Sequence, residues 1–304
     1  NARLAVGLQG VGIAERAYQQ ALSYANERRQ GRAPGSAGTG MSPIVEHPDV
    51  RRTLLTMKAL TQAARSICYL TAAALDRHHR ASDPDERRAA HERASLLTPV
   101  AKAFSSDIGV EVASMGVQVH GGMGFVEETG AAQHLRDARI LPIYEGTNGI
   151  QAIDLVTRKL PLSGGATVRA QIASMRATVT RLVKEATPAF GHTAPRLREA
   201  IESLDRATSY LQKALASNDP NDALAGATPY LRLFALAQGG AALADAALAA
   251  NALMASGDTD PAHAGRIALC RFFAENVATG AHGLENSIMA GAPALQDAPL
   301  ALAS

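Results

Sequence analysis

Within the 304 residues, the segment Ile143-Tyr144-Glu145-Gly146-Thr147-Asn148-Gly149-Ile150-Gln151 is the richest in chemical potential. It sets a carboxylate, Glu145, behind an aliphatic and an aromatic side chain and just ahead of a helical pattern. Desolvation raises the proton affinity of a carboxylate, and the free N–H groups of a helix start stabilise negative charge on an oxygen. A base beside such a helix end suits removal of a proton next to a carbonyl, where charge develops on oxygen. The same residues also have a plain reading, in which Glu145 is a solvated carboxylate that favours the helix dipole. Two upstream segments carry similar alternatives. Gly121-Gly122-Met123-Gly124-Phe125 follows a long helical pattern and reads on its own as a C-cap and turn. Arg136-Asp137-Ala138-Arg139 reads on its own as surface ion pairs worth little.

Other chemistries find no support. No Glu-x-x-His pair occurs, which argues against a di-iron carboxylate bundle. His91-Glu92 lacks the second His of a metalloprotease helix. His120-Gly121-Gly122 is not accompanied by a Gly-x-Ser-x-Gly nucleophile turn. Gly122-x-Gly124 leaves the dinucleotide fingerprint incomplete, because Glu127 stands at the third glycine position and no strand precedes it.

The elements that must position these residues are helices. A first helix is expected over 2–29, with Leu4, Leu8, Val11, Tyr18, Leu22 and Ala25 on one stripe interrupted by Glu15. It ends in the glycine-rich stretch 31–40, a length of loop that is usually functional or disordered. Pro48-Asp49 opens a second helix, and Asp83-Pro84-Asp85-Glu86 opens a third, whose buried face carries Leu97, Val100, Phe104, Ile108, Val112 and Val119. A short helix over 131–136 and another reaching about 159 follow. The stretch 160–165 reads as a linker. Beyond it lie helical patterns at 166–187, 195–216, 221–254 and 261–280, with Asp219-Pro220 and Asp260-Pro261 as start signals. Pro229 should kink or divide the third of these. Gly239-Gly240 suggests close helix packing, against the first bundle or a second subunit. The expected fold is all-α, as two antiparallel bundles joined near residue 160.

Composition agrees. Hydrophobic residues make up 47% and aromatics only 4%, with no Trp; Ala and Leu, which dominate, favour helix over strand. Cys68 and Cys270 are too few for a disulfide or cysteine–metal scaffold. A formal charge of +2 argues against a nucleic-acid partner, which calls for a concentrated basic face. No uninterrupted apolar run reaches the ~18 residues that a membrane span requires. Asn1-Ala2-Arg3 shows no export pattern and no initiator Met, so a fragment or a processed chain is expected.

Taken together, the motifs resemble the acyl-CoA dehydrogenases. The matching pieces, in the family's order, are Gly10 to Ala17, Tyr24 to Gln30, Ala101 to Phe104, Gln118 to Phe125, Arg136 to Arg139 and Ile143 to Thr147. Residues 1–160 resemble the family's C-terminal four-helix up-and-down domain, and residues 161–304 resemble the additional helical domain of larger bacterial members. The resemblance implies FAD-dependent α,β-dehydrogenation of an acyl-CoA thioester, with Glu145 as the base that removes the α-proton while the β-hydrogen leaves as hydride to the flavin. Tyr144 and Gly146 flank that base and are expected to line the substrate. Arg28, Gln118 and Gly122 match positions that hold the neighbouring subunit's FAD, and Thr147 matches a threonine beside the subunit's own flavin. Gln30 and Gly31 depart from the usual Thr-Phe flavin contacts, and Gly149 departs from a flavin-contacting Gln. The family further implies a homodimer or homotetramer, an electron-transfer flavoprotein as acceptor and a bacterial cytoplasmic location. An acyl-CoA oxidase-like flavoenzyme and a non-catalytic helical oligomerisation module are the alternatives. Acyl length is not legible, and no site is proposed within 166–304.

Overall fold

A computed structural model describes residues 2–303 apart from 37, 38, 186, 218, 219 and 297. The described residues form helices and turns, with one isolated bridge, Arg29 to Pro43, in place of a sheet. The first part of the chain comprises α1 (Ala2–Glu27), α2 (Pro48–Arg80), α3 (Pro84–His120), α4 (Gly122–Phe125), α5 (Ala131–Ala138) and α6 (Asn148–Asp154), the last prolonged by a π-helical turn at Leu155–Lys159. Start signals act where they were read. Pro48 and Asp49 open α2, and the Asp83 carboxylate caps α3 by accepting the Asp85 N–H at 3.1 Å.

Directions alternate up, down, up, down. A methyl group added at Gly7 would fall 2.6 Å from the Ala101 carbonyl oxygen, and one at Gly10 would fall 2.6 Å from the Ser105 carbonyl carbon, so α1 and α3 run parallel with their backbones in contact. The short α6 descends beside α3, from Asn148 near Ala103 to Asp154 near Arg3. The buried face of α1 differs from the expected stripe. It consists mainly of Gly7, Gly10, Ala14, Ala17, Ala21 and Ala25, whereas Leu8 is 39% exposed and Glu15 pairs with Arg65 at 2.7 Å. Close approach of α3 selects small residues there, and large side chains are displaced to the flanks.

The second part comprises α7 (Ala166–Glu185), α8 (Thr193–Leu215), α9 (Asn221–Ala225), α10 (Ala227–Ala255), α11 (Ala262–Asn276) and α12 (Ala281–Met289), then two short turns, α13 (Pro293–Gln296) and α14 (Ala298–Leu302). The expected break at Pro229 falls at Gly226 instead. Pro229 sits in the first turn of α10, where a helix has no use for its missing N–H. The expected start signal at Asp219 lies outside the described residues. Helix α12 was not foreseen.

Helix α10 is the centre of the molecule. By length and composition it could cross a membrane, but 78% of its most apolar window is buried by neighbouring helices. A helix apolar on all sides is what a core position requires. Gly239 and Gly240 serve opposite neighbours: an added methyl would fall 2.8 Å from Ala63 Cβ on α2 at the first, and 2.5 Å from Leu197 Cδ2 on α8 at the second. Most of the buried apolar residues accordingly form one cluster running from Leu4 to Ile288.

Electrostatics contribute at the edge of this core. Arg206 on α8 donates from Nε and NH2 to the two oxygens of Glu285 on α12, at 2.5 and 2.8 Å. These bonds hold the Glu285 carboxyl down at about 2. Because the folded value is depressed, the stabilisation is present above the ordinary value of 4.5 and is lost as pH falls from there towards 2. Glu285→Gln is therefore expected to lower stability by about 1.5–3 kcal/mol at pH 7, with the difference from wild type shrinking steadily in urea melts below pH 4.5.

Candidate active site

The carboxylate that sequence analysis singled out lies in the connection between α5 and α6. Turn hydrogen bonds fold this connection back on itself, from the Ile143 N–H to the Ile140 carbonyl (3.0 Å) and from the Asn148 N–H to the Pro142 carbonyl (3.0 Å). Glu145 then adopts φ +56° and Gly146 φ +82°. Glycine reaches that region freely, but a glutamate there costs on the order of 1–3 kcal/mol, so its surroundings must hold it.

The holding groups come from three helices. Lys102, fully buried on α3, donates from Nζ to the Gly146 carbonyl (2.9 Å) and to Asn148 Oδ1 (2.8 Å). Burial pushes its ammonium below the usual lysine range, and the charges of Asp107 and Glu145 oppose that shift. Asn148 donates from Nδ2 to the Ala103 carbonyl, Ser106 Oγ and Asp107 Oδ1 (3.1, 3.0 and 2.7 Å). From α6, Gln151 Nε2 donates to the Glu145 and Gly146 carbonyls, both at 3.2 Å, while Arg3 of α1 donates to Gln151 Oε1 at 3.0 Å. The Tyr144 hydroxyl donates to Gln9 on α1. Thr147 caps α6, its Oγ1 accepting the Ile150 N–H at 3.4 Å. The Glu145 carboxylate itself has no hydrogen-bond or ion-pair partner among the described residues and is exposed. An apolar wall around it was expected. Ile143 is instead 52% exposed beside it, so this chain alone does not keep water from the carboxylate.

The remaining candidates gather at the opposite end of the bundle. Arg28 follows α1, and Gln118 and Gly122 flank the end of α3, where the Tyr24 and His120 rings stack at 4.5 Å and join the two helices. From Lys102 to Gln118 along α3 is about 24 Å at ~1.5 Å per residue. One cluster holds Tyr144, Glu145, Gly146 and Thr147, the other Arg28, Gln118 and Gly122, and the structure does not bring them together within the chain. The second cluster offers a guanidinium unpaired among the described residues, an exposed amide and a glycine with open space above its Cα. Such a donor set fits an anionic dinucleotide. The Gln30–Gly31 departure lies in a segment closed by backbone bonds from Gln30 N–H to Ser42 and from Ser42 N–H to Gly31 (3.1 and 2.9 Å). Gly149 has no neighbour within 4 Å of an added Cβ.

The helices of the chain and the left-handed glutamate on its braced loop can be set beside known families. The family described as acyl-CoA dehydrogenase, C-terminal domain, matches residues 1–160, and that described as acetyl-CoA dehydrogenase C-terminal like matches residues 171–299. The chain is 47% identical over 278 residues to a 3-methylmercaptopropionyl-CoA dehydrogenase of Ruegeria pomeroyi, covering 91% of this chain and 47% of that protein. It is 33% identical over 288 residues to a butyryl-CoA dehydrogenase of Syntrophomonas wolfei, covering 92% and 46%. It belongs to the acyl-CoA dehydrogenase family and spans about half the length of these relatives. In fold it is similar to Caenorhabditis elegans ACDH-11 in complex with C11-CoA (TM-score 0.71, 19% identity, 91% of this chain and 42% of that one). It is similarly like a Bacillus anthracis acyl-CoA dehydrogenase complexed with FAD (TM-score 0.69, 18% identity, 94% and 48%).

Sequence reasoning missed the residues that brace the loop, namely Lys102, Asn148, Gln151 and Arg3. One signal was available for Lys102, a cation set in the apolar run from Leu96 to Phe104 on the buried face of a helix. Lysine is almost never fully buried without partners.

Proposed function

We propose that the chain is the C-terminal half of an FAD-dependent acyl-CoA dehydrogenase, with a boundary near residue 160 between its two bundles, and that Glu145 abstracts the α-proton of an acyl-CoA thioester. One observation carries this reading: the Glu145 carboxylate, unpartnered among the described residues, stands on a strained backbone braced from α1, α3 and α6. A carboxylate with no partner of its own is free to take a proton from a bound molecule, and a braced loop keeps its position while it does so. The buried Lys102 ammonium is bonded to the next peptide and so fixes the backbone that carries Glu145. Thr147 and the first N–H groups of α6 form the positive end of that helix, two residues after Glu145, and would favour a polarised oxygen placed there.

When bound, FAD supplies the acceptor for the β-hydride. Thr147 would face the subunit's own cofactor, and Arg28, Gln118 and Gly122, about 24 Å away along α3, would reach the cofactor of a neighbouring subunit. That separation supports a dimer or tetramer as the working form; an electron-transfer flavoprotein would serve as acceptor. The reading is tested with the full-length protein under anaerobic conditions. Acyl-CoA thioesters should bleach the flavin and the matching free acids should leave it oxidised; a flavin that no thioester reduces would contradict it. The first thioester to try is 3-methylmercaptopropionyl-CoA, for which the Ruegeria relative is named.

A further inference from the structure

We propose that Arg232 of α10 is a positioning residue for Glu145, acting from the second bundle through Asp107 and Asn148 on the loop that bears the carboxylate. The proposal rests on the reading of Glu145 as the base. Arg232 reaches the first bundle from behind that loop. Its NH1 and NH2 donate to the two oxygens of Glu111 on α3 at 2.7 and 3.0 Å, and its guanidinium stands 5.2 Å from the centre of the Phe104 ring. A bidentate fork stacked on an aromatic face fixes the cation in both distance and plane.

One helical turn before Glu111 stands Asp107, half-buried. Desolvation drives its carboxyl above the ordinary range, and the Asn148 amide and the Arg232 charge pull it back. Asp107 accepts from Asn148 Nδ2 at 2.7 Å and lines the same cavity as Arg232, whose fork on Glu111 is anchored one turn along the same helix. The chain of contacts then runs from Asn148 Oδ1 to Lys102 Nζ (2.8 Å) and from Lys102 to the Gly146 carbonyl (2.9 Å), the peptide next to Glu145. Behind it lies a cavity of about 360 Å³ lined by Asp107, Asn148, Pro229, Arg232 and Leu284 among others. The polar bonds from Lys102 and Gln151 to the Gly146 and Glu145 carbonyls resist relaxation of the left-handed Glu145 backbone. A base displaced by about 1 Å can lose on the order of 10²-fold in rate.

The test uses full-length holoenzyme, with the rate constant of flavin bleaching per bound FAD measured separately from FAD content. Arg232→Met should slow bleaching by about 10–100-fold with FAD content unchanged, and Arg232→Lys should recover part of the rate. Lys102→Met, or Asn148→Ser if the former yields no holoenzyme, should slow it comparably. The double variant should be no slower than the slower single one, because both act through one frame. Amide hydrogen exchange across residues 143–149 should rise in each. A parental rate constant and unchanged exchange in Arg232→Met would overturn the proposal, as would slowing confined to Lys102→Met or Asn148→Ser, which would leave the second bundle without a part. A purely structural role would lower FAD content and leave the rate constant alone. Glu145→Gln run alongside separates the two readings. If it bleaches slowly while Arg232→Met is parental, only the coupling fails; if it bleaches at the parental rate, the assignment of the base fails and the coupling with it.

Discussion

Glu145→Gln in the full-length protein is expected to retain its FAD and its fold and to lose turnover by about 10²–10⁴-fold, the contribution of a positioned general base. Glutamine keeps the length and planarity of the side chain, and the native carboxylate makes no hydrogen bond or ion pair among the described residues that the change could break. The bracing bonds from Lys102 and Gln151 go to backbone carbonyls, which the substitution leaves in place. Lost activity therefore reports on the proton-accepting oxygen rather than on the loop. Steady-state turnover with an acyl-CoA thioester, normalised to bound flavin, checks this, and a variant within about tenfold of wild type would be hard to reconcile with a base at this position.

Gly10→Val is expected to destabilise the chain by about 3 kcal/mol, at the upper end for overpacking, a large share of a typical ~5–15 kcal/mol total. At this position α1 and α3 touch through their backbones: an added Cβ meets the Ser105 carbonyl and lies 2.9 Å from Ser106 Cα, and Gly109 faces it from the other helix. Backbone atoms cannot rotate away as a flexible side chain does, so the helices must separate. Gly12, two residues on, is the internal control. An added Cβ there has nothing within 4 Å, and Gly12→Ala should raise stability by about 0.5–1 kcal/mol through helix propensity. Urea titrations of the two variants in parallel measure the contrast, and equal midpoints would mean that α1 and α3 are not in backbone contact.

These two positions also show what was legible in the sequence. Helix existence was readable from Ala and Leu content, and the starts of α2 and α3 from proline and aspartate. The packing face of α1 was not, because a stripe of large apolar residues is the usual signal and this interface is built from Gly7, Gly10, Ala14 and Ala17. Pro229 suggested a break inside α10, yet a proline in the first turn removes an N–H that has no helical partner, and Gly226 makes the break instead. At the site, Glu145 and its motif could be picked out, but its left-handed backbone could not, since glutamate carries no preference for it. Nor could the brace, because it joins Arg3, Lys102, Asn148 and Gln151 from helices far apart in the chain. The openness of Glu145 has a comparable origin: sequence neighbours such as Ile143 and Tyr144 suggested a dry setting, and the fold turns Ile143 outward.

The most direct test of Glu145 as the α-proton base is exchange at the α-carbon, uncoupled from oxidation. A thioester with sulfur at the β-position has no hydride to give from that atom, so any α-hydrogen exchanged into deuterated solvent reports proton removal alone. With the full-length protein, rapid exchange is predicted for wild type and exchange slower by at least about 10²-fold for Glu145→Gln at equal FAD content. Equal exchange rates in the two proteins would show that another group removes the proton.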